Sequence, residues 1–111
     1  MKFAIPMAEG KLAAHFGHVR EFAIIEVEDD QIKNTELHPP PAHEPGVLPK
    51  WLHETMGADV IISGGMGQMA VNLFQQNGIK VVLGAPALAP EEIVKNYLAD
   101  NLTIGDNFCD H

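Results

Sequence analysis

Two groups of residues in this chain have types and spacings that could do chemistry. The first is "SGGMG", Ser63 to Gly67, inside "DVIISGGMGQMA" (Asp59 to Ala70). An apolar run breaks there into glycines and restarts with helical spacing. A strand–loop–helix junction of this kind offers main-chain amides to an anion, and glycine lets a bulky one come close. The second group is "HFGH", which sets His15 and His18 around Phe16 and Gly17, together with His43 in a proline-rich stretch and "CDH" (Cys109 to His111). Imidazole and thiolate are ligands for copper, zinc, iron or nickel, so these residues point to a soft transition metal. No carboxylate cluster of hard-ion spacing accompanies them.

Each signal also has a plain structural reading. The glycines suit a tight turn that binds nothing, the histidines suit ordinary loops, and the "CDH" segment suits a frayed terminus. Met66, flanked by glycines, could line a pocket with its thioether or simply fill the core. Other chemistry is excluded more firmly. Gly65-Met66-Gly67-Gln68-Met69-Ala70 matches G-x-G-x-x-A, but the next strand ends "VVLGAP" without the carboxylate that would hold a ribose hydroxyl. No lysine follows the glycines as a Walker A loop requires. There is no G-x-S-x-G, and the first strand, "KFAIPM", carries no carboxylate for a metal-dependent nuclease. The expectation is a binding protein, not an enzyme.

The elements that must position these groups follow from the hydrophobic pattern. Lys2–Met7 reads as a strand, with Pro6 placing it near an edge or a strand end. Residues 20–29 and 31–38 read as an antiparallel hairpin turning at Asp29-Asp30. "PPPAHEPG" (Pro39 to Gly46) can only be a stiff loop. Val47–Gly57 reads as a helix with Pro49 in its first turn, and Ala58–Ser63 as a buried parallel strand. Met69, Ala70, Leu73 and Phe74 give the next segment helical spacing, closed at Asn77-Gly78. Ile79–Gly84 is a further strand and Pro90–Asp100 a third helix, with Glu91 and Glu92 against its positive dipole end. The order is β-β-β-α-β-α-β-α, which implies a mixed five-stranded sheet with helices packed on it.

Composition narrows the partners. The 111 residues are 46% hydrophobic, enough for one domain (1–111) with a real core. A net charge of −8 argues against nucleic acid or an anionic membrane as partner. The uncharged run from Val60 to Ile79 contains Ser63, Asn72, glutamines and glycines, so it is not read as a membrane span. A single cysteine and an N-terminus without a signal-peptide pattern lead us to expect a cytoplasmic protein, monomeric or a weak homodimer.

Three segments bear a resemblance to a known family. "HFG" at His15 to Gly17, "GADVIISGGMG" at Gly57 to Gly67 and "NGIKVVLGA" at Asn77 to Ala85 resemble the dinitrogenase iron–molybdenum cofactor-binding family. "HEPGVLPKWL" (His43 to Leu52) further resembles its orange-protein-like branch, whose type member in sulfate reducers holds a molybdenum–copper sulfide cluster. The resemblance implies a ribonuclease H-like three-layer α/β fold with helices on both faces of the sheet. It implies carriage or assembly of a metal–sulfur cofactor of Mo–Cu or Fe–Mo type, and a MinD/ParA-type ATPase as a partner class. The cofactor would then meet Gly64, Gly65, Met66 and Gly67 on one side and His15, Phe16 and Gly17 on the other. His15, His18, His43, Cys109 and His111 are the candidate metal ligands. Two alternatives stay open: an interaction module docking on such an ATPase, and a simple zinc or copper protein.

Overall fold

In the computed structural model, residues 1–13, 19–40 and 47–99 are described. The strands are β1 (Lys2–Ala8), β2 (Lys11–Leu12), β3 (Glu21–Glu28), β4 (Gln31–His38), β5 (Val60–Ile62) and β6 (Lys80–Val82). The helices are α1 (Val47–Lys50, continued by a wider turn over Trp51–Thr55), α2 (Gln68–Gln76) and α3 (Pro90–Leu98). The sheet order is β4-β3-β1-β5-β6, with β2 paired to β1. β3 runs antiparallel to β1 and β4 antiparallel to β3, whereas β5 and β6 run parallel to β1. The expected mixed sheet is present, with one more strand than the five read from sequence. Two-residue β2 adds to it by pairing Leu12 with Met7 and Lys11 with Ala8.

Strand alternation divides the interior in two. Phe3, Ile5 and Met7 of β1 belong to a core that includes Ile25, Ile62, Ile93 and Val94, so α3 covers this face. Ala4 belongs to the opposite core with Phe22, Ile24, Leu52, Ile61, Val71 and Phe74, which the α1 segment and α2 cover. Full burial of each large apolar side chain stabilises the fold by about 1.5–3 kcal/mol. β1 is central, not an edge, and Pro6 lies beyond the Phe3 and Ala4 pairing with β5. A proline near a strand end withholds no hydrogen from that ladder.

The α1 segment departs from the expected regular helix. Met56 donates its amide to the carbonyl of Trp51 (3.1 Å) and Ala58 to Leu52 (2.9 Å), so the helix widens by a residue before it stops. Gly57 ends it at φ +69°. Trp51 meets Phe22 of β3 edge-to-face at 5.8 Å and His38 of β4 at 6.5 Å, which clamps this segment to the sheet. The β3–β4 turn places Asp29 and Asp30 at φ +55° and +61°, the left-handed pair of a tight hairpin turn. α2 ends in a Schellman motif: Ile79 donates to Phe74 and Gly78 to Gln75, each over 3.0 Å, with Gly78 at φ +77°.

Candidate functional site

The chain order reverses at β1. After β4 the polypeptide crosses to the other side of β1 and forms β5, so the ends of β1 and β5 flank a switch point. Open α/β sheets hold ligands there, outside the carboxyl ends of the strands. Ser63 to Gly67 leave β5 at that end. The parallel pairing of Phe3 with Val60 and Ala4 with Ile61 carries forward to bring Pro6 and Met7 level with Ser63 and Gly64. Ala13 donates its amide to the Pro6 carbonyl and Arg20 to that of Met7, both over 2.8 Å. The two anchors of the "HFGH" segment therefore sit at the same sheet end as the glycines. His15, Phe16, Gly17 and His18 themselves, and likewise His43, Cys109 and His111, lie outside the described residues.

The glycine loop is held by its carbonyls. Gly84 donates to the Gly64 carbonyl at 2.8 Å, and Ala85 donates to that of Ser63 at 3.2 Å. Gly84 can make this contact because its φ of +80° is open to glycine and costly for other residues. In a planar trans peptide the following N–H points opposite to the carbonyl. The amides of Gly64 and Gly65 thus point away from the Gly84–Ala85 turn. They and the Gly67 amide donate to no group among the described residues. Consecutive amides set on one side form an anion-binding concavity.

α2 continues the pattern. Gly67 is its N-cap (φ −66°, ψ 153°), with no capping side chain and no acidic residue in the first turn. Its carbonyl accepts from Val71 at 3.1 Å, while the amides of Gln68, Met69 and Ala70 have no acceptor within the helix. The Gln68 side chain donates instead to Asn72 (2.9 Å). α3 is treated in the opposite way, with Pro90 at its start and Glu91 and Glu92 in its first turn. A Cβ built on Gly67 meets nothing within 4 Å. Neither φ nor packing calls for glycine here, and the bare Cα leaves open space at the helix start.

Of two methionines, one takes the core place that the sequence left open to it and the other stands elsewhere than the sequence placed it. Met66 is completely buried in the core shared with Phe22, Leu52 and Phe74, so its side chain serves packing. Met69, read as part of the apolar face of α2, is 77% exposed. Val71 and Phe74 are the residues that α2 buries, and Met69 projects from the other side, beside the open helix start. His53 is exposed on the wide turn, and His38 takes Glu36 as its partner at 2.8 Å. Among the described residues no three His, Cys, Asp or Glu side chains converge as a metal site. A groove of about 570 Å³ lined by Asp30, Ile32, Glu91, Lys95 and Leu98 lies by the hairpin turn, at the far end of the sheet.

A family model described as dinitrogenase iron-molybdenum cofactor matches residues 1–100. The chain belongs to this family. The dinitrogenase cofactor family match is joined by the uncharacterised protein MJ0580 of Methanocaldococcus jannaschii, 34% identical over 106 residues, covering 92% of this chain and 89% of that protein. The crystal structure of PH0822 superposes with a TM-score of 0.84 at 30% identity, over 94% of each chain. The apo orange protein of Desulfovibrio gigas superposes with a TM-score of 0.74 over 96% of this chain and 93% of that one. Its 21% identity establishes the shared fold and nothing finer. No helix of the described residues is long and apolar enough to cross a membrane.

Proposed function

We propose that the protein is a non-enzymatic carrier or scaffold for an anionic molybdenum-containing sulfide cluster, of Mo–Cu or Fe–Mo type. The observation that carries this reading is the uncapped start of α2 at Gly67, bare of Cβ and open to space. Sulfides of such a cluster accept hydrogen bonds from main-chain amides, and the helix dipole adds local attraction of about 0.3–1 kcal/mol. That attraction is short-ranged, so it operates despite a net charge of −8. The amides of Gly64, Gly65 and Gly67 would hold the cluster from one side. His15, Phe16, Gly17 and His18, whose anchors stand at the same sheet end, would close it from the other, with an imidazole as donor or copper ligand. His43, Cys109 and His111 are further proposed ligands, and the cytoplasm is the proposed compartment.

The test is to mix the apo protein with tetrathiomolybdate and copper, then pass it through gel filtration. A coloured complex that keeps its metal, and loses it in a His15→Ala/His18→Ala variant, is the expected result. Loss of metal from the unmodified protein, or equal retention by the variant, overturns the proposal. Capture of a MinD/ParA-type ATPase equally by apo protein and variant would favour the docking-module reading instead.

A further inference from the structure

Ser63 is fully buried, and it is the polar side chain enclosed in the core among the described residues. Val60–Ile62 before it are apolar, and alanine or valine would continue the strand without the desolvation cost of a hydroxyl. The hydroxyl is kept satisfied by one contact, its donation to the Gly65 carbonyl at 3.2 Å. That contact spans the first turn of the glycine loop. It is the third in a row: the Ser63 and Gly64 carbonyls take the Ala85 and Gly84 amides, and the Gly65 carbonyl takes the Ser63 hydroxyl. Three successive peptide planes are thereby locked from the inside.

We infer that Ser63 is a positioning residue for the anion cradle, fixing the Gly65–Met66 peptide, and with it the path from Gly65 to Gly67, so that the amides of Gly64, Gly65 and Gly67 are in place before a ligand arrives. This rests on the anion-binding reading of the loop. Gly65 makes that peptide easier to rotate, because it has no Cβ to resist the change. Without the hydroxyl, the buried Gly65 carbonyl lacks its partner and regains one by turning outward, which bends the chain between the Gly65 and Gly67 amides and spoils their spacing. The cradle then has to reform each time an anion binds, and binding weakens by that amount.

The experiment measures tetrathiomolybdate affinity optically, below the melting temperature of every protein compared. Ser63→Ala is expected to bind about fivefold more weakly, the equivalent of one net hydrogen bond. Two isosteric variants separate the hydroxyl from volume: Ser63→Thr is expected to bind more tightly than Ser63→Val. A merely structural serine would lower the melting temperature of Ser63→Ala and leave its affinity within twofold of the parent, and that result overturns the inference. If none of the variants folds, the unmodified protein still decides, because the Ser63 hydroxyl proton should be observable by NMR in slow exchange with and without tetrathiomolybdate. A rapidly exchanging hydroxyl overturns the inference. Failure of the unmodified protein to bind tetrathiomolybdate overturns the site itself, an outcome distinct from equal binding by parent and variant.

Discussion

The amide of Gly84 lies 2.8 Å from the carbonyl of Gly64, joining the turn after β6 to the loop after β5. This bond, between residues 20 positions apart, gives the glycine loop a rigid back. Replacing Gly84 by alanine forces a side chain to adopt φ +80°, at a cost of about 1–2 kcal/mol. Thermal unfolding of Gly84→Ala should show a lower midpoint, and tetrathiomolybdate titration a weaker complex. An unchanged affinity would mean that the tether does not shape the cradle.

Gly67→Asp should separate stability from binding. Aspartate is a better N-cap than glycine, and the backbone at position 67 already has the extended geometry that a cap needs. Its carboxylate also complements the dipole, so the variant should gain about 0.5–1 kcal/mol in urea unfolding. The same carboxylate occupies the open amides and repels an anion. A more stable protein that no longer retains thiomolybdate is the expected outcome.

Phe74→Ala tests the packing that carries α2. Phe74 is fully buried in the core beneath this helix, and truncating such a residue costs about 3–5 kcal/mol. For a domain of ordinary stability this is a large share of the total. The urea midpoint should fall sharply. Leu73, only half-buried, should tolerate alanine much better.

The pair of Glu36 and His38 predicts a small acid dependence. The hydrogen bond with His38, reinforced by one from Asn34 (2.9 Å), holds the Glu36 carboxyl below its ordinary value. A carboxylate with a lowered folded-state pKa adds stability above its unfolded value, and that contribution is lost as pH falls through the folded one. Glu36 is exposed, so the effect is slight and best seen by carbon NMR of the carboxyl group. In His38→Phe, which keeps a ring against Trp51, the Glu36 titration should move back up.

Methionine oxidation should follow burial. Met69 is 77% exposed, whereas Met7 and Met66 are at most 2% exposed. Dilute peroxide followed by peptide mass analysis should find sulfoxide at Met69 well before either buried thioether. Bound thiomolybdate should slow Met69 oxidation if the cluster rests at the start of α2.

Elements with a strong local pattern were legible in the sequence, and features made by distant contacts were not. Gln31–His38 is legible with its true bounds because β-branched residues and the Asp29-Asp30 turn mark it. β2 escaped notice because two residues, Lys11 and Leu12, carry no periodicity. The widening over Trp51–Thr55 was invisible for another reason: apolar spacing does not distinguish bonds four residues apart from bonds five apart. Met69 is apolar and spaced to fit a buried face, yet Val71 and Phe74 define the buried stripe. The glycine loop was legible as a motif. Its tether to Gly84 and Ala85, and the hydroxyl of Ser63 beneath it, depend on residues that meet only after the sheet has formed.

The turn at Asp29 and Asp30 has a practical consequence. β3 runs back along β1, so this turn projects from the rim opposite the glycines, about 20 Å away along seven strand residues. A peptide tag spliced between the two aspartates only lengthens a surface loop, at about 0.6 kcal/mol for each doubling of its length. Protein immobilised through such a handle would present its glycine-loop end to the medium, which suits it to the thiomolybdate titrations on a sensor chip.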